Sequence, residues 1–225
     1  MKMIIIGPPG SGKGTQAQVI EHTLGITQIS TGDLLRAECQ QPTPQAKAIK
    51  ETIAKGKLID DDIVLSLLAK RLAQPDCQSG YLLDGFPRTV EQAQALHQAG
   101  INIDTIVVLN VPDACIIERL SGRRIHPASG RSYHLVYNPP QRSGVDDVTG
   151  EPLQQRIDDN PDTVVKRLAV YQHITSQVLS YYQQSVFSQQ TKLIQIEVQD
   201  WMLKEDVSAL IFEQLSPASE TSLPA

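Results

Sequence analysis

At roughly 150 residues per domain, a chain of 225 residues holds one sizeable domain or a core carrying small insertions, which excludes many-domain architectures. A hydrophobic fraction of 40% and a charged fraction of 20% suit a buried core and argue against wholesale disorder. Twenty Lys plus Arg against 25 Asp plus Glu give a net charge of −5, so a whole-protein footprint for nucleic acid or anionic membrane is not expected, although eight of the ten arginines lie between Arg88 and Arg167.

In chain order, runs rich in β-branched residues at Lys2–Ile6, Thr27–Ser30, Gly80–Leu83, Thr105–Val111 and Lys192–Val198 predict strands, and their continuous apolar character predicts cover on both faces. Helical patterns lie between them. Asp60–Asp62 forms a cap region before Ile63, Val64, Leu67, Leu68 and Leu72, and Val90–Ala99, Asp113–Leu120 and Leu203–Leu215 supply others. A longer helix begins near Pro161, with Val164, Leu168, Tyr171, Ile174, Val178 and Tyr182 on one stripe. This alternation predicts an α/β fold, a parallel sheet of five strands between helical layers, with ligands at the carboxyl ends of the strands.

Two stretches break the rhythm. Residues 30–59 are mainly helical, whereas 122–159 dissolve into turn residues around a strand-like piece at Tyr133–Tyr137. The expected division is a core of 1–29, 60–121 and 160–215, inserts at 30–59 and 122–159, and a disordered tail at 216–225. Cys39, Cys77 and Cys115 are scattered without a C-x-x-C pair, so neither a disulfide framework nor a thiolate metal site is expected. No apolar run reaches the length of a signal core or membrane span, and a cytoplasmic address is the expectation.

Gly7-Pro8-Pro9-Gly10-Ser11-Gly12-Lys13-Gly14-Thr15 follows the first strand and opens a helical pattern, the context a phosphate-binding loop requires. Glycines let successive N–H groups turn toward phosphate, and the helix N-terminus adds its dipole. Lys13 supplies a mobile positive charge. Because Gly14 follows the lysine, Thr15 is the candidate hydroxyl near Mg2+. Tyr81-Leu82-Leu83-Asp84 then delivers a carboxylate at a strand end, before Gly85-Phe86-Pro87-Arg88. Asp84 suits a Mg2+ partner of the loop and equally a cap for the helix starting near Thr89.

Together with Ser30-Thr31-Gly32-Asp33 and Gly122-Arg123-Arg124, these motifs stand in the order and approximate spacing of the nucleoside monophosphate kinases, and the chain resembles a long-lid adenylate kinase up to about Leu215. That resemblance implies a P-loop fold in which the two breaks are a helical monophosphate-binding insert and a small β-rich lid. It also implies Mg2+-dependent phosphoryl transfer from ATP to AMP giving two ADP, a role in adenine-nucleotide homeostasis, and a monomer. Donor phosphates would sit on Gly10, Ser11, Gly12, Lys13, Gly14 and Thr15. Arg119 would stack on the ATP adenine, with further ATP contacts around Ser132, Tyr133 and Asp200. AMP would lie near Thr31, Arg36, Lys57, Leu58, Ile59, Gly85, Phe86, Pro87, Arg88 and Gln92, and Arg156 and Arg167 would also touch it. The resemblance makes Lys13, Arg88, Arg123, Arg156 and Arg167 the catalytic cations, and places Mg2+ near Thr15, Asp33 and Asp84, mostly through water.

In the lid, His126, Ser129, Asp146 and Thr149 stand where zinc-binding relatives carry mostly cysteines, so a hydrogen-bonded network is expected and zinc is not. Gln92 suits an adenine reader and equally an exposed helix polar residue. Where the family commonly shows Asp-Gly after the last strand, this chain has Glu197-Val198-Gln199-Asp200-Trp201, which adds a Cβ beside the donor base. Two other readings fit the motifs: a UMP/CMP kinase of the same fold, which the long lid and Gln92 disfavour, and a non-catalytic nucleotide-binding protein, which the retained arginines disfavour.

Overall fold

The computed structural model describes residues 1–184 and 191–216. The tail expected at 216–225 therefore lies outside the described residues from position 217 onward. Five parallel strands form the central sheet: β1 (Lys2–Ile6), β2 (Thr27–Ser30), β3 (Tyr81–Asp84), β4 (Thr105–Asn110) and, late in the chain, β7 (Lys192–Glu197). Their order is β2-β3-β1-β4-β7. β1 is thus flanked by β3 and β4, where successive crossovers run to opposite sides, and the crevice at such a switch point is where open α/β sheets take ligands.

Alternation along the central strands explains the continuous apolar runs. Ile4 and Ile6 of β1, with Ile106 and Val108 of β4, join one core cluster, while Met3, Ile5, Val107 and Leu109 point to the other face. Each such buried aliphatic side chain contributes about 1.5–3 kcal/mol relative to exposure. α4 (Asp61–Leu72), α5 (Val90–Gln98) and α8 (Ser176–Tyr182) cover the first face through Val64, Leu68, Ala93, Leu96, Val178 and Tyr182. α1 (Lys13–Leu24), α6 (Asp113–Ser121) and α9 (Lys204–Leu215) cover the second through Ala17, Ile20, Ile116, Leu120, Val207 and Ile211. Gln16 ties α1 to α9: its Nε2 donates to Lys204 O at 2.9 Å and its Oε1 accepts from the Ser208 hydroxyl at 2.7 Å.

Between β2 and α4 the chain forms α2 (Thr31–Glu38) and α3 (Pro44–Ala54). Their starts follow the capping rules: Ser30 accepts from Asp33 N, and Thr43 accepts from Ala46 N ahead of Pro44. Residues 122–159 hold a two-stranded antiparallel sheet of β5 (Arg123–Ile125) and β6 (Ser132–His134). The strand expected at Tyr133–Tyr137 is shorter than its sequence pattern suggests. The chain turns at 135–137, where His134 Nδ1 accepts from the backbone N–H groups of Val136 and Tyr137 at 3.0 and 3.1 Å.

The long helix expected from Pro161 starts as α7 (Pro161–Val170), capped by Asn160, and then passes through a π-helical turn at Tyr171–Thr175 into α8. A π turn inserts a residue and rotates the stripe that follows. Ile174, expected on the apolar stripe, is accordingly 39% exposed, and Thr175 is buried in its place.

Candidate active site

The phosphate-type loop links β1 to α1 at the carboxyl edge of the sheet. Gly10 and Gly12 have φ of 79° and 91°, in the left-handed region that favours glycine. At Gly7 the constraint is space, since a Cβ would lie 2.8 Å from the Leu109 carbonyl oxygen. The loop curls around Lys13, whose Nζ donates to the carbonyl oxygens of Gly7 at 2.7 Å and Pro8 at 2.8 Å.

Beside the loop, Asp84 ends β3, with Gln28 Nε2 at 3.4 Å from its Oδ2. The carbonyl of Gly85 is a shared anchor: it accepts from the Thr31 hydroxyl at 2.9 Å and from Arg88 Nε at 2.8 Å. Arg88 is thereby held with its guanidinium toward the loop. The remaining cations arrive from 119–167. Asp159, with a fully buried side chain, accepts from Arg123 Nε at 2.8 Å and again from its Nη2, and lies 3.3 Å from Arg167 Nη1. Arg167 Nη1 also pairs with Asp158 Oδ2 at 2.8 Å. Arg156 differs, because its Nε is buried without a hydrogen-bond partner among the described residues.

Lys13, Asp84, Arg88, Arg123, Arg156, Asp158 and Arg167 line one cavity of about 600 Å3, with Asp159 fully buried outside the lining, and the crowding of like charges there shifts their proton affinities. Desolvation, opposed by Asp84 and reinforced by Arg88, Arg167 and Arg123, lowers the Lys13 pKa to about 7. Desolvation and neighbouring cations likewise lower Arg88 and Arg156 to about 10. Burial pushes the Asp84 carboxyl up even though Lys13 pulls the other way. The cavity lining is thus short of negative charge, an arrangement that suits a polyanion.

The adenylate kinase family model matches residues 5–187. The chain belongs to the adenylate kinase family. It is therefore a phosphotransferase of the nucleoside monophosphate kinase kind, and its ligands are nucleotides.

Against that family background, the residues singled out from sequence fall into place unevenly. Gly10 to Thr15, Thr31, Arg36, Lys57, Leu58, Ile59, Gly85, Pro87, Arg88, Gln92, Arg119, Arg123, Ser132, Tyr133, Arg156, Arg167 and Asp200 all border the cavity. Phe86 does not: its side chain is 1% exposed and packs in the first core cluster. Asp33 borders the cavity but spends its carboxylate on Arg36, accepting from Nε at 3.1 Å and from Nη2. Desolvation raises its pKa, but Arg36 outweighs that effect and holds the carboxyl below its ordinary range.

On the donor side, Arg119 Nη2 donates to Gln199 O at 3.3 Å, joining α6 to the β7–α9 loop. Val198, whose Cβ is expected beside the donor base, borders the cavity while being 2% exposed and packed in the second core cluster. Its neighbour Trp201, 70% exposed at the cavity lip, carries no pattern that would have marked it in sequence. Asp61 was also hidden, reading as part of a cap. Asp60 is the actual N-cap of α4, accepting from Asp62 N at 3.0 Å, while Asp61 turns toward Gln92.

In the 122–159 segment, both ring nitrogens of His126 are engaged, Nδ1 with Ser129 Oγ at 2.7 Å and Nε2 with Glu151. Asp146 accepts from Arg131 at 2.6 and 2.8 Å, Tyr133 Oη at 2.9 Å and the Thr149 hydroxyl at 3.0 Å. These donors, with Arg131 foremost, hold its carboxyl far below the usual range. The small module thus has a polar interior where a larger domain would place aliphatic side chains.

Proposed function

We propose that the chain catalyses reversible Mg2+-dependent transfer of the terminal phosphoryl group of ATP to AMP, giving two ADP, and so serves adenine-nucleotide homeostasis as a cytoplasmic monomer. The observation that carries this reading is the convergence of Lys13, Arg88, Arg123, Arg156 and Arg167 on one cavity, with Arg156 Nε buried and unpaired. A transferring phosphoryl group carries its charge on equatorial oxygens, so catalysis is chiefly alignment plus preorganised positive charge. Planar guanidinium forks match that charge geometry better than ammonium groups.

In this reading the loop Gly10–Thr15 takes the donor phosphates. Arg88, anchored by Gly85 O, orients the acceptor phosphate, and Arg123, Arg156 and Arg167 gather around the group in flight. The 30–59 and 122–159 inserts close over acceptor and donor, excluding water that would otherwise intercept the phosphoryl group. Arg119, Ser132, Tyr133 and Asp200 border the donor base, and Gln92 reads the acceptor base.

The cation fits the donor set without a protein cage. Among the described residues no three metal-ligating side chains cluster, yet Asp84 and Thr15 face the same cavity, and Mg2+ keeps several waters and is commonly held by one or two carboxylates plus substrate phosphates. Bound with ATP, it would neutralise charge building up on the phosphates; Thr15 and Asp84 would hold its hydration shell, and Asp33 would do so only if it left Arg36.

A coupled assay with ATP as donor and AMP, CMP, UMP or GMP as acceptor tests the reading. Turnover is expected with AMP first and is expected to stop with EDTA. Binding without AMP turnover would overturn it in favour of a nucleotide-binding protein, and preference for UMP or CMP would overturn the acceptor.

Proton linkage gives an independent check. With a pKa of about 7 in the free protein, Lys13 is mostly neutral at pH 8. Phosphates beside it restore the charged form, so binding Mg·ATP takes up nearly one proton at pH 8 and almost none at pH 6. Affinity falls as pH rises through 7. Calorimetry in buffers of different ionisation heat measures this uptake directly, and Lys13→Arg is expected to abolish it. A proton count independent of pH would contradict the assignment.

A further inference from the structure

The carboxamide of Gln92 is buried and bonded on both sides. Its Nε2 donates to Asp61 Oδ1 at 2.5 Å, and its Oε1 accepts from the backbone N–H of Arg88 at 2.7 Å. Both partners are one-directional: an ionised carboxylate only accepts, and a backbone N–H only donates. The amide therefore has a single permitted orientation. Thr89 completes the ring, because its hydroxyl lies 3.2 Å from Asp61 Oδ2 as donor and accepts from Gln92 N–H at 3.1 Å while capping α5. α4 and α5 are thus joined through the very side chain that borders the cavity beside Arg88.

After these bonds the amide keeps one N–H and one oxygen lone pair. Such a pair complements a base edge that sets a ring acceptor beside an exocyclic donor, which is the pattern of a 6-aminopurine. A 6-oxopurine reverses it, with a ring N–H beside a carbonyl oxygen. An amide free to flip would satisfy either edge, and an amide that cannot flip satisfies one.

We propose that Asp61 is a positioning residue that locks the Gln92 carboxamide and so makes the acceptor site select a 6-aminopurine monophosphate over a 6-oxopurine monophosphate. The proposal rests on the reading of Gln92 as the acceptor-base contact. Its physical content is that discrimination comes from denying the flip, since leaving a buried donor facing a donor is costly. Asparagine at position 61 would donate as well as accept, so it removes one of the two one-directional partners and leaves the Arg88 N–H alone to oppose the flip of Gln92.

In Asp61→Asn the ratio of kcat/KM for AMP to that for GMP or IMP is expected to fall about tenfold or more, through acceptor KM, with the KM for ATP unchanged. A folded variant with an unchanged ratio overturns the proposal, as does an equal loss for all acceptors accompanied by a lowered Tm, which marks a structural role. The wild-type protein supplies a measurement that does not depend on the variant folding. The Gln92 side-chain N–H that is bonded to Asp61 is expected to be protected from hydrogen exchange, and an unprotected signal for it would overturn the lock. Failure of AMP turnover in the wild type would instead defeat the functional reading, so the two failures are separable.

Discussion

Lys13→Ala and Arg88→Ala are each expected to lower kcat at saturating nucleotide by at least about 10²-fold, equivalent to roughly 2.7 kcal/mol of transition-state stabilisation. The two residues reach the cavity from the segments that follow the adjacent strands β1 and β3. Lys13 is gathered by the loop carbonyls of Gly7 and Pro8, so it begins each cycle close to the loop that takes the donor phosphates. Arg88 is fixed by Gly85 O, the same oxygen that holds Thr31, so its guanidinium needs little reorganisation as charge develops. Preorganisation of this kind is what separates an effect on kcat from one on binding alone. Loss confined to KM would assign these residues to ground-state binding, and wild-type kcat in either variant would contradict their roles. Arg88→Lys is expected to recover only part of the loss, because it keeps the charge and discards the fork. Steady-state kinetics, with circular dichroism to check folding, decide the matter.

The sheet was legible because its strands announce two-sided burial. Ile4 and Ile5 point to opposite faces yet are both apolar, and no half-exposed strand needs that. The loop was legible because its chemistry is contiguous, with Gly10, Gly12 and Lys13 within four positions. What stayed hidden depended on contacts between distant segments or on backbone irregularity. Asp61 carries the sequence signature of a helix cap, and nothing local shows that its carboxylate reaches Gln92, 31 residues away. Phe86 sits within a chemically rich motif, yet its ring fills the core while its neighbours Gly85 and Pro87 border the cavity. Ile174 obeys helical periodicity until a π turn rotates it outward. That Arg123 and Arg167 are ion-paired while Arg156 Nε has no hydrogen-bond partner among the described residues likewise depends on the positions of Asp158 and Asp159 in space.

Asp159→Ala is expected to destabilise the nucleotide-free protein by about 3 kcal/mol, the lower end of the cost of breaking a buried ion pair. At roughly 2–4 °C per kcal/mol for a chain of this size, Tm falls by about 6–12 °C. The lower end applies because the Arg123 side chain keeps 17% of its exposure and water can solvate part of the orphaned charge. The Asp159 carboxylate is fully buried and serves both Arg123 and Arg167, which line a cavity where desolvation and repulsion already depress Lys13, Arg88 and Arg156. Removing it leaves Lys13, Arg88, Arg123, Arg156 and Arg167 with Asp84, Asp158 and the Arg36-paired Asp33 to offset them. Phosphate supplies the missing charge, so saturating nucleotide is expected to raise the Tm of Asp159→Ala by more than it raises that of the wild type. The isosteric Asp159→Asn, which keeps an acceptor and drops the charge, should fall between the two. Thermal unfolding of the three proteins with and without ADP measures both effects. Equal ligand-induced shifts in all three would mean that Asp159 is only a packing element. A larger shift in the variants would establish that the protein holds its arginines ready with carboxylates that the substrate phosphates then outcompete.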